Sequence, residues 1–383
     1  MRIHQDIAAP RLAFLSPRDA QSQTSGTHYH MAKALSRYVG EVTIYSPLGS
    51  RTFWNRANDR LRRALRLPRK RFDSHGEILR QFKDDLEKGK EFDFIFAPNL
   101  SGLVPALAEY GPVIFVSDST PRRMFDFYPS YTNLDAAKRE AYDRTEKQAL
   151  DAAALVLYSS HWAAQSAIED YGVPVEKVKV LYQGPSLELD GVTPPPKEPR
   201  PDGAPLKVLF LCNNWERKGG DVALEIADIL RDKGYAGRIE ITLCGQQPKS
   251  RAYRNHPILT SRPYLNKDTP DGLSTLLELY RTHDVMLLPT RADCTPRALV
   301  EAGWFGLPIV ASAVGAIPEY FTHFTHGSLL HPSSEIREYA DALIALYRDS
   351  DLLLCMSRNI HDLTKEHHNW QAWALATSNE CLT

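Results

Sequence analysis

The sequence predicts an α/β protein of two Rossmann-like domains, with parallel sheets facing each other across a cleft. Three observations lead there. Short apolar runs bounded by turn residues alternate with amphipathic segments along most of the chain, which is the pattern of repeated βαβ units. A stretch with seven prolines, residues 185–205, interrupts that alternation near the middle. The chain has 383 residues, 43% of them hydrophobic, which is enough for two cores and more than one core of this kind usually holds. The expected boundaries are 1–184 for the first domain, 185–206 for a semi-extended linker and 207–366 for the second domain.

In the first half, residues 11–16 (RLAFLS) read as a strand, 17–26 as a polar loop, 27–38 as an amphipathic helix and 41–46 as an alternating strand. Gly26 sits where loop meets helix, so a backbone N–H there can approach a ligand closely. No GxGxxG fingerprint accompanies it, which argues against a dinucleotide-dependent dehydrogenase. Residues 60–71 (RLRRALRLPRKR) form a basic block with leucines at helical spacing, suited either to a solvated insertion or to anionic lipid headgroups. Residues 92–97 and 113–117 are further strands. The loop after the second carries Asp118, Arg122 and the aromatic run 124–131, which includes Tyr128. A loop at a strand's carboxyl end opens on the cleft, so these three residues are candidates for holding an acceptor; capping the next helix is the other role for Asp118. A helix over 134–150, a strand over 154–158, a helix opened by Ser159, Ser160, His161 and Trp162, and a strand over 178–182 complete this half, with His161 expected to cap or pack.

After the linker, strand 207–212 leads into the loop Asn213–Gly220 and a helix over 221–233. Lys218, with Arg217 before it and two glycines after it, is placed to hold a diphosphate and to stabilise charge growing on it. Strand 238–244 follows, then a loop with Leu265 and Asn266, and a helix over 271–281. Residues 284–289 (DVMLLP) are a buried strand. Thr295 and Pro296 then read as a helix start, a hydroxyl cap followed by proline at the first helical position. A helix N-terminus at the end of a parallel strand suits a phosphate, so Thr295, Pro296 and Arg297 are candidate phosphate contacts. Two carboxylates bracket it. Asp293 precedes Thr295, and Glu301 lies roughly 9 Å further along at 1.5 Å per residue. Acceptor-only groups in that spacing suit hydroxyl-rich ligands, a sugar on one side and a ribose on the other. From residue 335 the chain is helical, and Asp349-Ser350-Asp351 between two of these helices reads as a cap that matches a metal-binding string by chance.

The run Asp293-Cys-Thr-Pro-Arg-Ala-Leu-Val-Glu301, with Gly306-Leu-Pro308 and Gly315-Ala-Ile-Pro-Glu319, resembles the donor motif of family GT4 retaining GT-B glycosyltransferases, whose usual form is Glu-x7-Glu. Asp293 stands where that family has its first Glu, and Asn213 where it has an arginine. The resemblance implies a GT-B fold with the last helix, about 367–383, crossing back onto the first domain and anchored by Trp370 and Trp373. It implies transfer of a sugar, with retention, from a nucleotide-diphosphate sugar (UDP- or GDP-linked) to a hydroxyl of a glycan, lipid-linked sugar or small molecule. Lys218, Arg217 and Asp293 would be catalytic. Gly26, Glu301, Thr295, Pro296, Arg297, Leu265 and Asn266 would hold the donor. No cofactor or metal is implied.

A formal net charge of −1 argues against a nucleic-acid binder. Five scattered cysteines without CxxC spacing argue for reduced thiols and against zinc. No signal-like or membrane-spanning apolar run is present, so a cytoplasmic protein is expected, in contact at most with the inner face of a membrane through residues 60–71. The competing readings are a GT-B sugar-nucleotide epimerase or phosphorylase, and a non-catalytic two-lobed sugar- or nucleotide-binding protein.

Overall fold

The computed structural model describes residues 9–20, 26–47, 74–189, 194–195, 197–248, 253 and 255–382. The basic block 60–71 lies outside the described residues.

Strands β1 (Arg11–Leu15), β2 (Glu41–Tyr45), β3 (Phe94–Pro98), β4 (Val113–Ser117), β5 (Leu155–Tyr158) and β6 (Val178–Val180) form one sheet, in the order β2-β1-β3-β4-β5-β6. Strands β7 (Leu206–Cys212), β8 (Ile239–Gly245), β9 (Leu259–Arg262), β10 (Val285–Leu288), β11 (Ile309–Ser312) and β12 (Gly327–Leu330) form the second, in the order β12-β11-β10-β7-β8-β9. Every pairing between these strands is parallel. Each sheet reverses its winding beside its first strand, β1 or β7. That leaves a crevice at the carboxyl ends of the strands, where ligands of such sheets bind. This is the architecture expected from the alternation of apolar runs.

The sheets are covered on both faces, which is why β4, β10 and β11 are buried throughout. Side chains alternate between two cores. Ala13 and Leu15 enter one face of the first sheet, and Leu12 and Phe14 enter the other. The second sheet divides in the same way, with Val208 and Phe210 on one side and Leu209 on the other.

The longer helices are α1 (Thr27–Tyr38), α2 (Ser74–Glu87), α3 (Ala136–Ala152), α4 (His161–Glu169), α5 (Gly220–Asp232), α6 (Pro270–Thr282), α7 (Arg297–Trp304), α8 (Ile336–Arg348), α9 (Ser350–Glu366) and α10 (Trp370–Leu382). Helix α10 packs on α1 of the first lobe, and Lys179 pairs with Glu380 at 2.9 Å. Of the two tryptophans expected to anchor it, Trp373 is buried among Leu12, Phe14 and Phe96. Trp370 is only half-buried, because its indole N–H reaches out to donate to the Pro185 carbonyl at 2.7 Å. Asp349 caps α9 by accepting from the Leu352 amide.

The described parts of the proline-rich segment are held against the second lobe. Leu187 is buried in the core of the second lobe. The Lys197 ammonium donates to the Tyr280 and Arg281 carbonyls at the end of α6, where the helix dipole favours a cation.

Candidate functional site

The loops after β7 and β10 meet at the mouth of the second sheet. After β7, Asn214 caps a helical turn, Trp215–Lys218, by accepting from the Arg217 amide. Gly219 then turns the chain with φ of 73°, and a Cβ there would lie 2.0 Å from the Pro289 carbonyl oxygen. Only glycine lets the two loops approach so closely. The result is a buried ion pair, Lys218 Nζ to Asp293 Oδ2 at 2.6 Å, with both residues under 10% exposed. Arg217 Nη1 donates to the Ala292 carbonyl at 2.8 Å and lies 3.8 Å from the same carboxylate. Its guanidinium sits over the Tyr128 ring of the opposite lobe. On the other side of the Asp293 loop, Gly315 has φ of 56° and presses against the Asp293 carbonyl, so both neighbours of that loop are glycines by necessity.

The start of α7 differs from the sequence expectation. The helix begins at Arg297 with Pro296 as its cap, and no side chain caps it. Thr295 is turned away because its hydroxyl is used across the cleft, where it donates to Asp118 Oδ1 at 3.2 Å. Its one proton being spent there, Thr295 accepts from the Ser159 hydroxyl at 2.7 Å. Arg297 also crosses the cleft, donating to the Thr27 hydroxyl at the start of α1.

Glu301 is buried on the first turns of α7. Its Oε2 accepts from the Tyr280 hydroxyl at 2.9 Å, and its Oε1 lies 3.9 Å from Lys267 Nζ. Burial, then the Glu301 charge and its hydrogen bond, hold the Tyr280 phenol well above its usual pKa, so Tyr280 remains a donor. One Glu301 oxygen is therefore left for a ligand. Burial, with Asp118 and Asp293 nearby, pushes the Cys294 thiol up to about 12, so it stays a neutral wall of the site.

These groups line one cavity of about 350 Å³ between the lobes. Of the residues singled out from sequence, it brings together Lys218, Arg217, Asp293, Gly26, Glu301, Thr295, Arg297, Leu265, Asp118 and Tyr128. Three are not among its lining residues. Pro296 is spent as the helix cap. Asn266 is folded into its own turn, accepting from the Asp268 amide. Arg122 leans away toward Asp143 and the Asp170 carbonyl, drawn by a carboxylate that sequence spacing does not bring near it. Thr120, not Asp118, caps the turn after β4. Ser160, not His161, caps α4, and the His161 side chain is exposed.

Sequence reasoning missed Arg18, Ser186 and Lys267, which also line the cavity. Lys267 directly follows the two residues singled out there, and a basic side chain in a loop at a strand end was the available signal. The cavity holds five basic side chains (Arg18, Arg217, Lys218, Lys267, Arg297) against three carboxylates (Asp118, Asp293, Glu301). Its excess of positive charge contrasts with the chain's net charge of −1.

Two family models match the chain, Glycosyltransferase Family 4 over residues 27–189 and glycosyl transferases group 1 over residues 205–349. A D-inositol 3-phosphate glycosyltransferase of Corynebacterium aurimucosum is 24% identical over 257 residues, 64% of this chain and 59% of that one. The putative colanic acid biosynthesis glycosyltransferase WcaL of Escherichia coli is 28% identical over 225 residues, 56% of this chain and 52% of that one. The chain thus matches less than two thirds of the length of these relatives. Among solved structures, Anabaena Alr3699/HepE in complex with UDP and glucose superposes with a TM-score of 0.65 at 16% identity, covering 98% of this chain and 100% of that one. Sucrose-phosphate synthase from Thermosynechococcus elongatus gives 0.67 at 16% identity, covering 97% and 98%. At these identities the likeness establishes the fold, which is GT-B.

Proposed function

From a chain that belongs to the group 1, family 4 glycosyltransferases, we infer an enzyme that moves a sugar from a nucleotide-diphosphate sugar to an acceptor hydroxyl, with retention at the anomeric carbon. The observation that carries this reading is the pairing, in one cavity, of an excess of positive charge with two buried carboxylates that each keep an oxygen for a ligand.

Lys218, Arg217 and the first amides of α7 hold the diphosphate. As the bond from the anomeric carbon to the phosphate oxygen breaks, that oxygen takes the electron pair, and Lys218 stabilises the charge. The acceptor oxygen forms the new bond from the same face, and its proton passes to the departing diphosphate. The sugar carries positive charge midway. Asp293, held by Lys218 through one oxygen, offers the other to a sugar hydroxyl. Glu301 takes the ribose, with Leu265 beside the base. The structures of Alr3699/HepE hold UDP and UDP-glucose, which makes a UDP-sugar the first donor to try.

The test is a panel of UDP- and GDP-sugars, screened first for thermal stabilisation and then for products with and without added acceptors. A saturating donor at 100 times its Kd raises stability by about 2.7 kcal/mol. Acceptor-dependent release of nucleotide with a new glycoside is the expected result. Epimerised donor, or sugar phosphate without an acceptor product, would replace transfer with the epimerase or phosphorylase reading.

A further inference from the structure

A second large cavity lies across the linker from the first. Its volume is about 840 Å³, against about 350 Å³ for the cavity in the cleft. Cavities of roughly 300–1,000 Å³ are of the size that takes small ligands. Ser186 lines the cleft cavity, while its neighbours Pro185, Leu187 and Glu188 line this groove, so one strip of backbone separates the two. Both lobes build the walls. Helix α1 and the start of α10 stand on the side of the first lobe. Trp304 at the end of α7 and Lys365 near the end of α9 stand on the side of the second.

The groove combines apolar surface with unpaired positive charge. The indole N–H of Trp304 donates to the His368 carbonyl at 3.0 Å, and that of Trp370 to the Pro185 carbonyl. Only ring carbons of these two side chains remain for a ligand, beside Leu187, Leu189 and Leu375, the last 44% exposed. Lys33 is paired with Glu188 at 2.7 Å, and Glu366 lies 3.8 Å from His367. Arg37 and Lys365 are exposed, and neither forms an ion pair among the described residues. They belong to different lobes, so an anion held between them by charge-assisted hydrogen bonds joins one lobe to the other. A bare anion would leave the apolar surface wet, and a neutral hydrocarbon would leave both cations without a counter-charge. A charged head on an apolar chain answers both.

We propose that this groove binds one amphipathic anion, an anionic head on an apolar chain, and that its occupancy fixes the angle between the lobes. A ligand shifts a conformational equilibrium only when it binds one state better than the other. Here the walls belong to both lobes, so the width of the groove changes as the lobes rotate, and a ligand that fits one width favours one angle. Three elements carry that choice to the cleft. The Ser186 carbonyl of the linker accepts from Lys267 at 2.8 Å, and Lys267 lies 3.9 Å from Glu301. Helix α1 has Arg37 in the groove near one end and Thr27 bonded by Arg297 at the other. Helix α7 runs from Arg297 in the cleft to Trp304 in the groove. The groove shares no lining residue with the cleft cavity, and its assignment stands whether or not the chain transfers a sugar.

The test titrates the full chain by calorimetry with octyl phosphate, octyl glucoside and inorganic phosphate, the two octyl compounds below their micelle-forming concentrations. Octyl phosphate should bind about 10-fold or more tightly than either of the others. The double variant Arg37→Gln, Lys365→Gln should lose that preference. Leu375→Glu should weaken octyl phosphate and leave inorganic phosphate unchanged. All three side chains are exposed, so the fold is not at risk, and an unchanged melting temperature without ligand checks this. Hydrogen exchange on the same samples reads the cleft, where saturating octyl phosphate should slow the amides of residues 26–30 and 297–301 by about fivefold or more. Equal binding of octyl phosphate and octyl glucoside overturns the proposal, as does a preference that survives in the double variant. Protection confined to the groove overturns the control of lobe angle. Sedimentation with vesicles of anionic lipid, without binding of monomeric octyl phosphate, would replace the groove ligand with a membrane surface and also overturn it.

Discussion

Lys218 is held by a carboxylate before any substrate arrives. The contact with Asp293 fixes the ammonium where a diphosphate would need it and keeps two opposite charges stable away from water. Removing one partner strands the other, and breaking a buried pair costs about 3–5 kcal/mol. Lys218→Ala should therefore lower both stability and turnover, the latter by about 10²–10³. Adding Asp293→Asn should recover much of the melting temperature without recovering turnover. Scanning calorimetry and initial rates on the single and double variants check this, and a double variant that regains activity would assign Lys218 to structure alone. Much of this site was legible in the sequence, because Lys218, Asp293 and Glu301 sit at strand ends and on a helix start. Their pairing was not legible, because a sequence separation of 75 between Lys218 and Asp293 hides which side chains face one another.

At the scale of elements, the two lobes are joined by the start of α4. The Glu319 carboxylate, from the turn after β11, accepts from the His161 and Trp162 amides at that helix N-terminus. Beside it, the Tyr320 hydroxyl donates to the Ser159 carbonyl at 2.8 Å. An anion at a helix N-terminus contributes about 0.3–1 kcal/mol, up to about 2 when partly buried. Glu319→Gln removes that charge while keeping one oxygen as an acceptor. A melting temperature lower by a few degrees is expected, together with a larger radius of gyration in solution scattering. An unchanged radius would mean that the Tyr320 and Thr295 contacts suffice to hold the lobes. Sequence patterning found the strands and longer helices here, since periodicity is a local property. It misplaced the cap at Thr295, because that side chain is spent on Asp118 of the other lobe, and the same contact excludes the alternative role of Asp118 as a cap.

Across the whole molecule, buried histidines set the response to acid. Burial lowers the pKa of His28 and His368 to about 3, and of His30 and His283 to about 4. Unfolded, each would take up a proton near 6.5, so the unfolded chain binds more protons than the native one below that pH. The stability these groups support is fully present above pH 6.5 and is lost as pH falls toward 4. Glu146 works the other way, since burial raises it to about 7 and its neutral form loses its advantage as pH rises from about 4.5. Burial lowers His326 as well and raises Asp284 as it does Glu146, so with five histidines against two carboxyls, melting temperatures should fall between pH 6.5 and 4.5. His368→Phe, among Tyr182, Tyr320 and Phe321, should make that fall shallower. A slope unchanged by the variant would show that His368 is not a source of it. Composition gave the number of histidines but not this behaviour, which depends on how deeply each is packed.

The polypeptide passes between the lobes twice, near Pro185 and again between α9 and α10. The two passages lie side by side, since the Trp370 indole bonds the Pro185 carbonyl. A body tethered at one point can swivel in any direction, whereas adjoining tethers act like the pins of a door and favour rotation about one line. Opening of the cleft then has essentially one degree of freedom, and a single distance measured across the rim would follow it.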